Sequence, residues 1–266
     1  MQEVKELVRV DREGPVTTIT MHRPEKRNAL SGAMVTALKE ALAGAAEDAS
    51  CRVVVLTGAG KAFSAGADLA ALEALQTATA EENLADSEHL AGLFEAIYRH
   101  PKPVIARING HAIAGGCGLA AVCDVSVAAE TARLGFTEVR IGFVPAIVMV
   151  FVLRKLGEAA ARELFLSGHL IPAAEAARIG LITCAVPPDE LDAEVKARAN
   201  ELARETSASA VALTKRMLAA VPGMGLQEAL DHAVRVNAFA RSTSDCRAGI
   251  RAFLERRDPP WKSGAA

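Results

Sequence analysis

Two glycine-containing turns carry the residues with the clearest chemical potential in this chain. One covers residues 56–69 (LTGAGKAFSAGADL) and the other covers residues 108–124 (INGHAIAGGCGLAAVCD). Each lies after a predicted strand and before a predicted helix, where unpaired backbone N–H groups and the positive end of the helix dipole coincide. Two such turns directed at one point would form an oxyanion hole for an acyl group.

The glycines of the first turn do not form a nucleotide-binding motif. Gly60 and Lys61 are followed by Ala62, whereas a Walker A loop has Ser or Thr at that position. The dinucleotide pattern G-x-G-x-x-G also fails, because Phe63 occupies the position of the third glycine. The sequence supports neither class of nucleotide cofactor.

Glu138 is a carboxylate in an apolar stretch of the sequence. Its neighbours in the sequence are largely apolar: Phe136, Val139, Ile141, Phe143 and Val144. An apolar environment disfavours the charged carboxylate and raises its pKa toward the range that suits proton transfer near neutral pH. The alternative interpretation is a surface carboxylate paired with Arg140.

Histidine and cysteine spacings indicate neither a metal site nor a disulfide framework. The six histidines show no H-x-x-x-H spacing, and the five cysteines include no C-x-x-C pair. We therefore expect reduced thiols and no metal, as is usual in a cytoplasmic protein.

Four segments, in chain order, resemble those of the enoyl-CoA hydratase/isomerase (crotonase) family. They are HRPEKRNAL at residues 22–30, FSAGADL at 63–69, AIAGGCGLAAVCD at 112–124 and FTEVRIGFVP at 136–145. The resemblance extends from about residue 10 to residue 261, which is nearly the whole chain.

The resemblance implies three catalytic residues. The N–H groups of Ala67 and Gly115 would bind the thioester oxygen, and Glu138 would move the proton. Further substrate or coenzyme A contacts are implied for Lys26, Arg27, Ala29, Ala65, Asp68, Leu69, Gly118, Pro145, Phe253 and Arg256. Lys26 and Arg27 would lie near the coenzyme A phosphates, and Phe253 and Arg256 would reach the coenzyme A of a neighbouring subunit. Coenzyme A is part of the substrate, so no separate cofactor is expected.

Two positions depart from the family pattern. Many family hydratases carry a glutamate three residues after the oxyanion glycine, but this chain has Gly118 there. The glycine-rich stretch that follows the proline in the family is replaced by the bulkier residues 145–149 (PAIVM). We expect the second change to reshape the acyl pocket.

The resemblance favours a hydratase that adds water to a trans-2-enoyl-CoA through an enolate. A Δ3,Δ2-enoyl-CoA isomerase is the first alternative, because moving a proton between two carbons of one substrate requires a single base. A methylglutaconyl-CoA-type hydratase and a non-catalytic acyl-CoA-binding protein are further alternatives.

An α/β pattern of strands and helices must position these residues. The start of the chain reads as strand, turn and strand (LVRV, DREGP, VTTITM), and Ser31 is a predicted helix N-cap. Three β-branched runs, at 51–58, 103–110 and 123–130, predict buried parallel strands. Helices are predicted between them, at 67–75, 88–98 and 116–122, and almost everywhere after Pro145, apart from a break at Pro222 and Gly223.

The resemblance implies a crotonase-like spiral of ββα units followed by a C-terminal helical trimerisation region. We expect a spiral core domain at residues 1–200 and a helical oligomerisation region at 201–266. The expected assembly is a homotrimer or a homohexamer.

Composition excludes several other classes of protein. Apolar residues make up 51%, charged residues 23%, and the net charge is −2, so nothing indicates a nucleic-acid partner. The apolar stretch at 144–153 is too short to span a bilayer, and the charged N-terminus resembles no signal peptide. We expect a cytoplasmic protein with no membrane partner.

Overall fold

The computed structural model describes residues 6–262, which form two β-sheets. The strands are β1 (Val8–Glu13), β2 (Val16–Met21), β3 (Val53–Gly58), β4 (Ala62–Ser64), β5 (Val104–Ile108), β6 (His111–Ile113), β7 (Val125–Ala129), β8 (Arg133–Gly135), β9 (Ile171–Pro172) and β10 (Cys184–Val186). The larger sheet has the order β1-β2-β3-β5-β7-β10, and the smaller has the order β4-β6-β8-β9.

Five of the six strands of the larger sheet match the prediction, whereas β10 lies in a segment where no strand was predicted. Strands β1 and β2 pair in antiparallel fashion, and every later neighbour in this sheet is parallel. All six residues of β3 are buried, as expected for a parallel strand with both faces covered.

The smaller sheet is not predicted from the sequence. Its strands have only two or three residues each, and they carry no β-branched run. Strand β4 continues the first glycine-containing turn, and β6 and β8 lead into the second turn and into the segment of Glu138. This sheet therefore holds the three candidate segments side by side.

The helices are α1 (Gly32–Glu47), α2 (Leu69–Leu75), α3 (Ala80–Tyr98), α4 (Gly115–Val122), α5 (Ala146–Lys155), α6 (Glu158–Ser167), α7 (Ala173–Arg178), α8 (Leu191–Glu205), α9 (Ala208–Ala220), α10 (Leu226–Ala240) and α11 (Ser244–Leu254). Ser31 caps α1 by accepting a hydrogen bond from the Met34 N–H, as predicted. Helix α3 begins eight residues before the predicted start at residue 88, because Thr79 and Glu82 form a capping box ahead of a charged first half.

Two apolar cores lie on opposite faces of the larger sheet. Alternate residues of β3 face opposite ways: Val54 and Leu56 belong to the main core with α1 and α3, whereas Val55 belongs to a second core under α8. The sheet is therefore enclosed on both sides, and its carboxyl ends are left to carry the loops.

A buried lysine links the C-terminal helices to the rest of the chain. Lys215 of α9 is buried, forms an ion pair with Asp124 and donates a hydrogen bond to the Lys102 carbonyl oxygen at 3.0 Å. The expected division after residue 200 falls within α8, which packs on the larger sheet. We propose that the oligomerisation region begins after this helix.

Within residues 6–262, none of the helices combines the length and the apolar character needed to cross a bilayer.

Candidate active site

A short backbone ladder fixes the first candidate oxyanion donor. Leu30 donates its N–H to the Gly66 carbonyl oxygen at 2.8 Å, and its carbonyl oxygen accepts the Asp68 N–H at 3.2 Å. The residue between these two, Ala67, is thereby held with its own N–H directed away from the ladder. The positive φ of Gly66, 82°, allows the chain to turn into this geometry.

A strained turn presents the second candidate donor. Gly115 is the first residue of α4, and the preceding Ala114 has φ 54° and ψ −127°, a conformation that L-amino acids rarely adopt. Ala114 is retained there by its N–H, which donates to the Gly135 carbonyl oxygen at 2.8 Å. A β-carbon on Gly116 would lie 2.4 Å from the Ser64 carbonyl oxygen, so this glycine allows α4 to approach β4.

The backbone N–H groups of Ala67 and Gly115 lie close together. A β-carbon placed on Gly115 would lie 3.9 Å from the Ala67 nitrogen, and one placed on Gly66 would lie 3.0 Å from the Gly115 nitrogen. The described residues supply no hydrogen-bond acceptor to either the Ala67 or the Gly115 N–H. Two unpaired N–H groups at such close range can bind a single oxygen atom.

Glu138 lines the same cavity as these donors and lies at the start of a 3-10 turn, Glu138–Ile141. It is 8% exposed, and its Oε2 atom is buried without a hydrogen-bond partner among the described residues. Burial raises the pKa of Glu138 above its usual value. The alternative pairing with Arg140 does not form, because the Arg140 Nε donates to the Ser167 carbonyl oxygen instead.

Most of the apolar sequence neighbours of Glu138 are not themselves buried. Of the apolar neighbours, only Phe136 is buried, against Phe165. The others (Val139, Ile141, Phe143 and Val144) are exposed. Three of these exposed side chains, Ile141, Phe143 and Val144, nevertheless line the same cavity as Glu138, so they form part of its apolar surroundings.

A cavity of about 540 Å³ contains all three candidate catalytic residues. Its walls are mostly apolar side chains of α2, α3 and α5: Leu69, Leu72, Leu75, Leu90, Ile147 and Val148. A site of this size, with a few convergent polar groups in apolar walls, is typical of a pocket for a small organic substrate.

The structure brings together part of the predicted contact set. Ala65, Asp68, Leu69 and Pro145 line the cavity with Ala67, Gly115 and Glu138. The remaining predicted contacts are not among the lining residues: Lys26, Arg27, Ala29, Gly118, Phe253 and Arg256. Lys26 and Arg27 are exposed on the 22–30 loop, and Phe253 is 83% exposed on α11.

The two departures from the family pattern are in contact with each other. A β-carbon on Gly118 would lie 2.3 Å from Val148 Cγ1 and 3.0 Å from Phe94 Cε1. Val148 belongs to the first turn of α5, is 4% exposed and reaches the cavity wall. The volume that a side chain at position 118 would need is therefore filled by Val148.

Three residues of the site were not identified from the sequence. Asn28 is fully buried, and its Nδ2 group donates to the carbonyl oxygens of Ala59, Ala62 and Phe63 at 2.9, 2.9 and 3.2 Å. Ser64 links the same two loops, because its Oγ donates to the Asn28 carbonyl oxygen at 2.9 Å. Arg23 forms an ion pair with Asp68. All three residues lie within the recognised segments at 22–30 and 63–69, and that location alone could have indicated them.

The described residues of this region indicate neither a thiol nucleophile nor a metal centre. Burial raises the pKa of the Cys117 thiol well above its ordinary value, so this thiol stays protonated at neutral pH. No group of three or more metal-ligating side chains occurs within residues 6–262. The cavity combines the two unpaired backbone donors with the buried Glu138 carboxyl group, and Asp68, Asp86 and His89 also contribute to its lining.

Known proteins match this chain over almost its whole length. The family model described as enoyl-CoA hydratase/isomerase matches residues 11–264. A Thermus thermophilus protein, provisionally named as an enoyl-CoA hydratase, is 48% identical over 95% of this chain and 99% of its own. The 2,3-dehydroadipyl-CoA hydratase of Escherichia coli is 35% identical over 95% of this chain and 97% of its own.

Solved structures agree on the fold. The enoyl-CoA hydratase of Mycobacterium smegmatis superposes with a TM-score of 0.90 at 36% identity, covering 97% of this chain and 99% of that one. AtuE of Pseudomonas aeruginosa gives a TM-score of 0.91 at 34% identity, covering 97% of this chain and 100% of that one. The expected α/β fold is confirmed, and the chain belongs to the enoyl-CoA hydratase/isomerase family.

Proposed function

We propose that this protein is an enoyl-CoA hydratase that adds water to a trans-2-enoyl-CoA. The observation that carries the proposal is the convergence of the unpaired Ala67 and Gly115 N–H groups in one cavity with the buried Glu138 carboxyl group. The hydratase names of its relatives support the same reaction.

The proposed reaction uses Glu138 twice. Ala67 and Gly115 bind the thioester oxygen. Glu138 removes a proton from water as the water oxygen bonds to C3, and the electron pair of the double bond moves through C2 to the thioester oxygen. The two N–H groups stabilise the negative charge of this enolate. Glu138 then returns the proton to C2, so one carboxyl group balances the reaction.

Stabilisation of the enolate and proton transfer both contribute to the proposed catalysis, by comparable factors. Removal of a single oxyanion-hole donor typically costs about 10²–10³ in rate, and an acid–base residue contributes about 10²–10⁴. Both donors here are backbone groups fixed by the fold, so they need no reorganisation when charge develops.

A Δ3,Δ2-enoyl-CoA isomerase is the second candidate, and the contact between position 118 and Val148 favours it. Water in the two-glutamate hydratases lies between two carboxyl groups, and here an aliphatic side chain fills the place of the second. An isomerase removes a proton from C2 and delivers it to C4 with one base, so it would not need that second group.

The apolar cavity walls would suit a hydrocarbon acyl chain. Leucines of α2 and α3 and the first turn of α5 line it, and each buried methylene of a substrate would gain about 0.8 kcal/mol. We propose that Lys26 and Arg27, exposed on the neighbouring loop, contact the coenzyme A phosphates.

We further propose that the protein assembles as a trimer or hexamer through its C-terminal helices. Leu226, Leu230 and Val234 of α10 are 80%, 52% and 68% exposed and follow one another at four-residue spacing. Such a stripe on a soluble protein marks a contact surface. A second copy of the chain would also bring Phe253 and Arg256 to a neighbouring coenzyme A.

Ultraviolet absorbance tests the proposal. Purified protein is mixed with a trans-2-enoyl-CoA and, separately, with a 3-enoyl-CoA. Loss of conjugated-thioester absorbance with the first substrate is expected. A gain with the second and no change with the first would make the protein an isomerase, and no change with either, over several chain lengths, would indicate a binding protein. Glu138→Gln should abolish the signal, and Glu158→Gln, on the exposed face of α6, serves as the matched control.

A further inference from the structure

Arg23 is a half-buried charge next to the cavity, and its guanidinium forms an ion pair with the Asp68 carboxylate. Its Nη1 lies 2.5 Å from Asp68 Oδ2, and the two side chains are 22% and 12% exposed. Hydrogen bonding from Arg23 holds the pKa of the Asp68 carboxyl below its ordinary value. The pair joins the 22–30 loop to the residue that immediately follows Ala67.

The backbone on the N-terminal side of Ala67 is held by several short hydrogen bonds. Ala65 donates to the Arg27 carbonyl oxygen at 2.9 Å, and Gly66 donates to Ser64 Oγ at 3.2 Å while accepting from Leu30 at 2.8 Å. This side of the turn is therefore fixed to the 22–30 loop whether or not Arg23 is present.

The C-terminal side of Ala67 has less support. One backbone hydrogen bond, from Asp68 to the Leu30 carbonyl oxygen at 3.2 Å, holds it before the chain enters α2. All seven residues of α2 are described and none of them is fully buried; Leu72 and Leu75 are half-buried and line the cavity. The Arg23–Asp68 pair is the tertiary contact best placed to hold this end of the turn.

We propose that Arg23 is a positioning residue, which directs the Ala67 N–H at the thioester oxygen by holding the Asp68 carboxylate. The inference rests on the proposed function of Ala67 as an oxyanion donor. Asp68 Oδ1 accepts the Ala70 N–H at 3.1 Å and caps α2, so each carboxylate oxygen has a separate structural contact. Asp68, predicted as a substrate contact and as a helix cap, acts in this proposal through the backbone.

The competing role for Arg23 is direct contact with the coenzyme A phosphates, as proposed for Lys26 and Arg27. The two roles predict different kinetics. A phosphate contact strengthens ground-state binding and affects KM, whereas the position of an oxyanion donor affects the transition state and therefore kcat.

The test compares Arg23→Met, Asp68→Asn, the double variant and Arg23→Lys with the wild type. Asn caps helices as well as Asp, so Asp68→Asn retains the cap and removes only the charge pair. Arg162→Met, which breaks an exposed pair on α6, is the matched control. The readouts are kcat and KM with a trans-2-enoyl-CoA, and the infrared carbonyl band of bound [1-¹³C]butyryl-CoA, a saturated thioester that cannot be hydrated.

Each single variant should lower kcat about 10- to 100-fold, less than the loss of a whole donor, with KM changed by about twofold at most. The double variant should be no worse than either single variant, because both remove the same contact. The carbonyl band should move to higher frequency as the thioester oxygen loses polarisation, and Arg23→Lys should recover part of both signals.

Two results would overturn the proposal. A raised KM for Arg23→Met, with Asp68→Asn unchanged in kcat and in carbonyl frequency, would identify Arg23 as a phosphate contact. A lower melting temperature in both variants, with the carbonyl band unmoved, would leave Arg23 with a structural role alone. The infrared readout requires only binding, so it stays valid if the wild type turns over no enoyl-CoA and the proposed reaction fails.

Discussion

At the scale of single residues, Glu138 combines burial with an unpaired oxygen. A carboxyl group in this setting carries a desolvation cost when it is charged, and no described neighbour offsets that cost with a hydrogen bond to Oε2. Burial makes the Glu138 carboxylate a stronger base, and it also makes the charged carboxylate destabilising in the folded state. Two predictions follow from these opposite effects.

The first prediction concerns activity. Glu138→Gln should lower kcat about 10²–10⁴-fold, because the amide cannot accept the proton of water. In the wild type, the acid limb of kcat/KM should lie above the ordinary pKa of glutamate, since burial raises the pKa and only the deprotonated form acts as the base. A pH–rate profile between pH 4 and pH 9 measures this limb. An acid limb at or below the ordinary glutamate value would contradict the assignment.

The second prediction concerns stability. The pKa of Glu138 is higher in the folded state than in the unfolded state, so its contribution to stability is complete below the unfolded pKa and is lost as pH rises through the folded pKa. Glu138→Gln should therefore raise the melting temperature at pH 8 and leave it unchanged near pH 3.5. Calorimetry at both pH values measures the difference. An equal shift at both would mean that packing, and not charge, is responsible.

At the scale of elements, the site depends on how closely α4 approaches its neighbours. Gly116 allows contact with β4, and Gly118 allows contact with α5, where Val148 fills the volume beside it. The helix thus carries the Gly115 donor on one short segment that is packed on two sides. The two departures from the family pattern are therefore linked, because Val148 of α5 occupies the space that a side chain at position 118 of α4 would need.

The dependence of position 118 on Val148 can be measured as a coupling free energy of unfolding. Gly118→Ala should destabilise the protein by about 1–3 kcal/mol, because its β-carbon would overlap Val148. Val148→Ala should also destabilise, by leaving a cavity. The double variant should cost clearly less than the sum of the two. Urea unfolding of all four proteins gives the coupling energy, and simple additivity would show that position 118 does not depend on Val148.

The elements also show what local sequence can and cannot predict. Every strand of the larger sheet except β10 follows from a local pattern, and the candidate role of Glu138 follows from its place in a recognised segment. The smaller sheet does not, because its strands are too short for periodicity. Arg23 and Asn28 act through partners 31–45 residues away, and no local pattern specifies such pairings.

At the scale of the whole molecule, the C-terminal region exposes many large apolar side chains. Leu218, Leu226, Val234, Phe239, Ile250, Phe253 and Leu254 are each more than half exposed. An apolar surface of this extent favours association with another copy of the chain. Composition predicted a helical tail, but the direction of each apolar face required the structure.

The last prediction tests this surface. Wild-type protein at micromolar concentration should scatter light as a trimer or hexamer, and the combined variant Leu230→Asp/Val234→Asp should shift the mass toward the monomer, because two carboxylates cannot be buried without partners. Leu84→Asp is the control, since this leucine is 59% exposed on α3, outside the C-terminal region. If dissociation also raised KM for enoyl-CoA while kcat persisted, the neighbouring subunit would contribute to coenzyme A binding, as proposed for Phe253 and Arg256. A wild-type monomer would remove the need for that contribution and would leave the exposed stripe for a different partner.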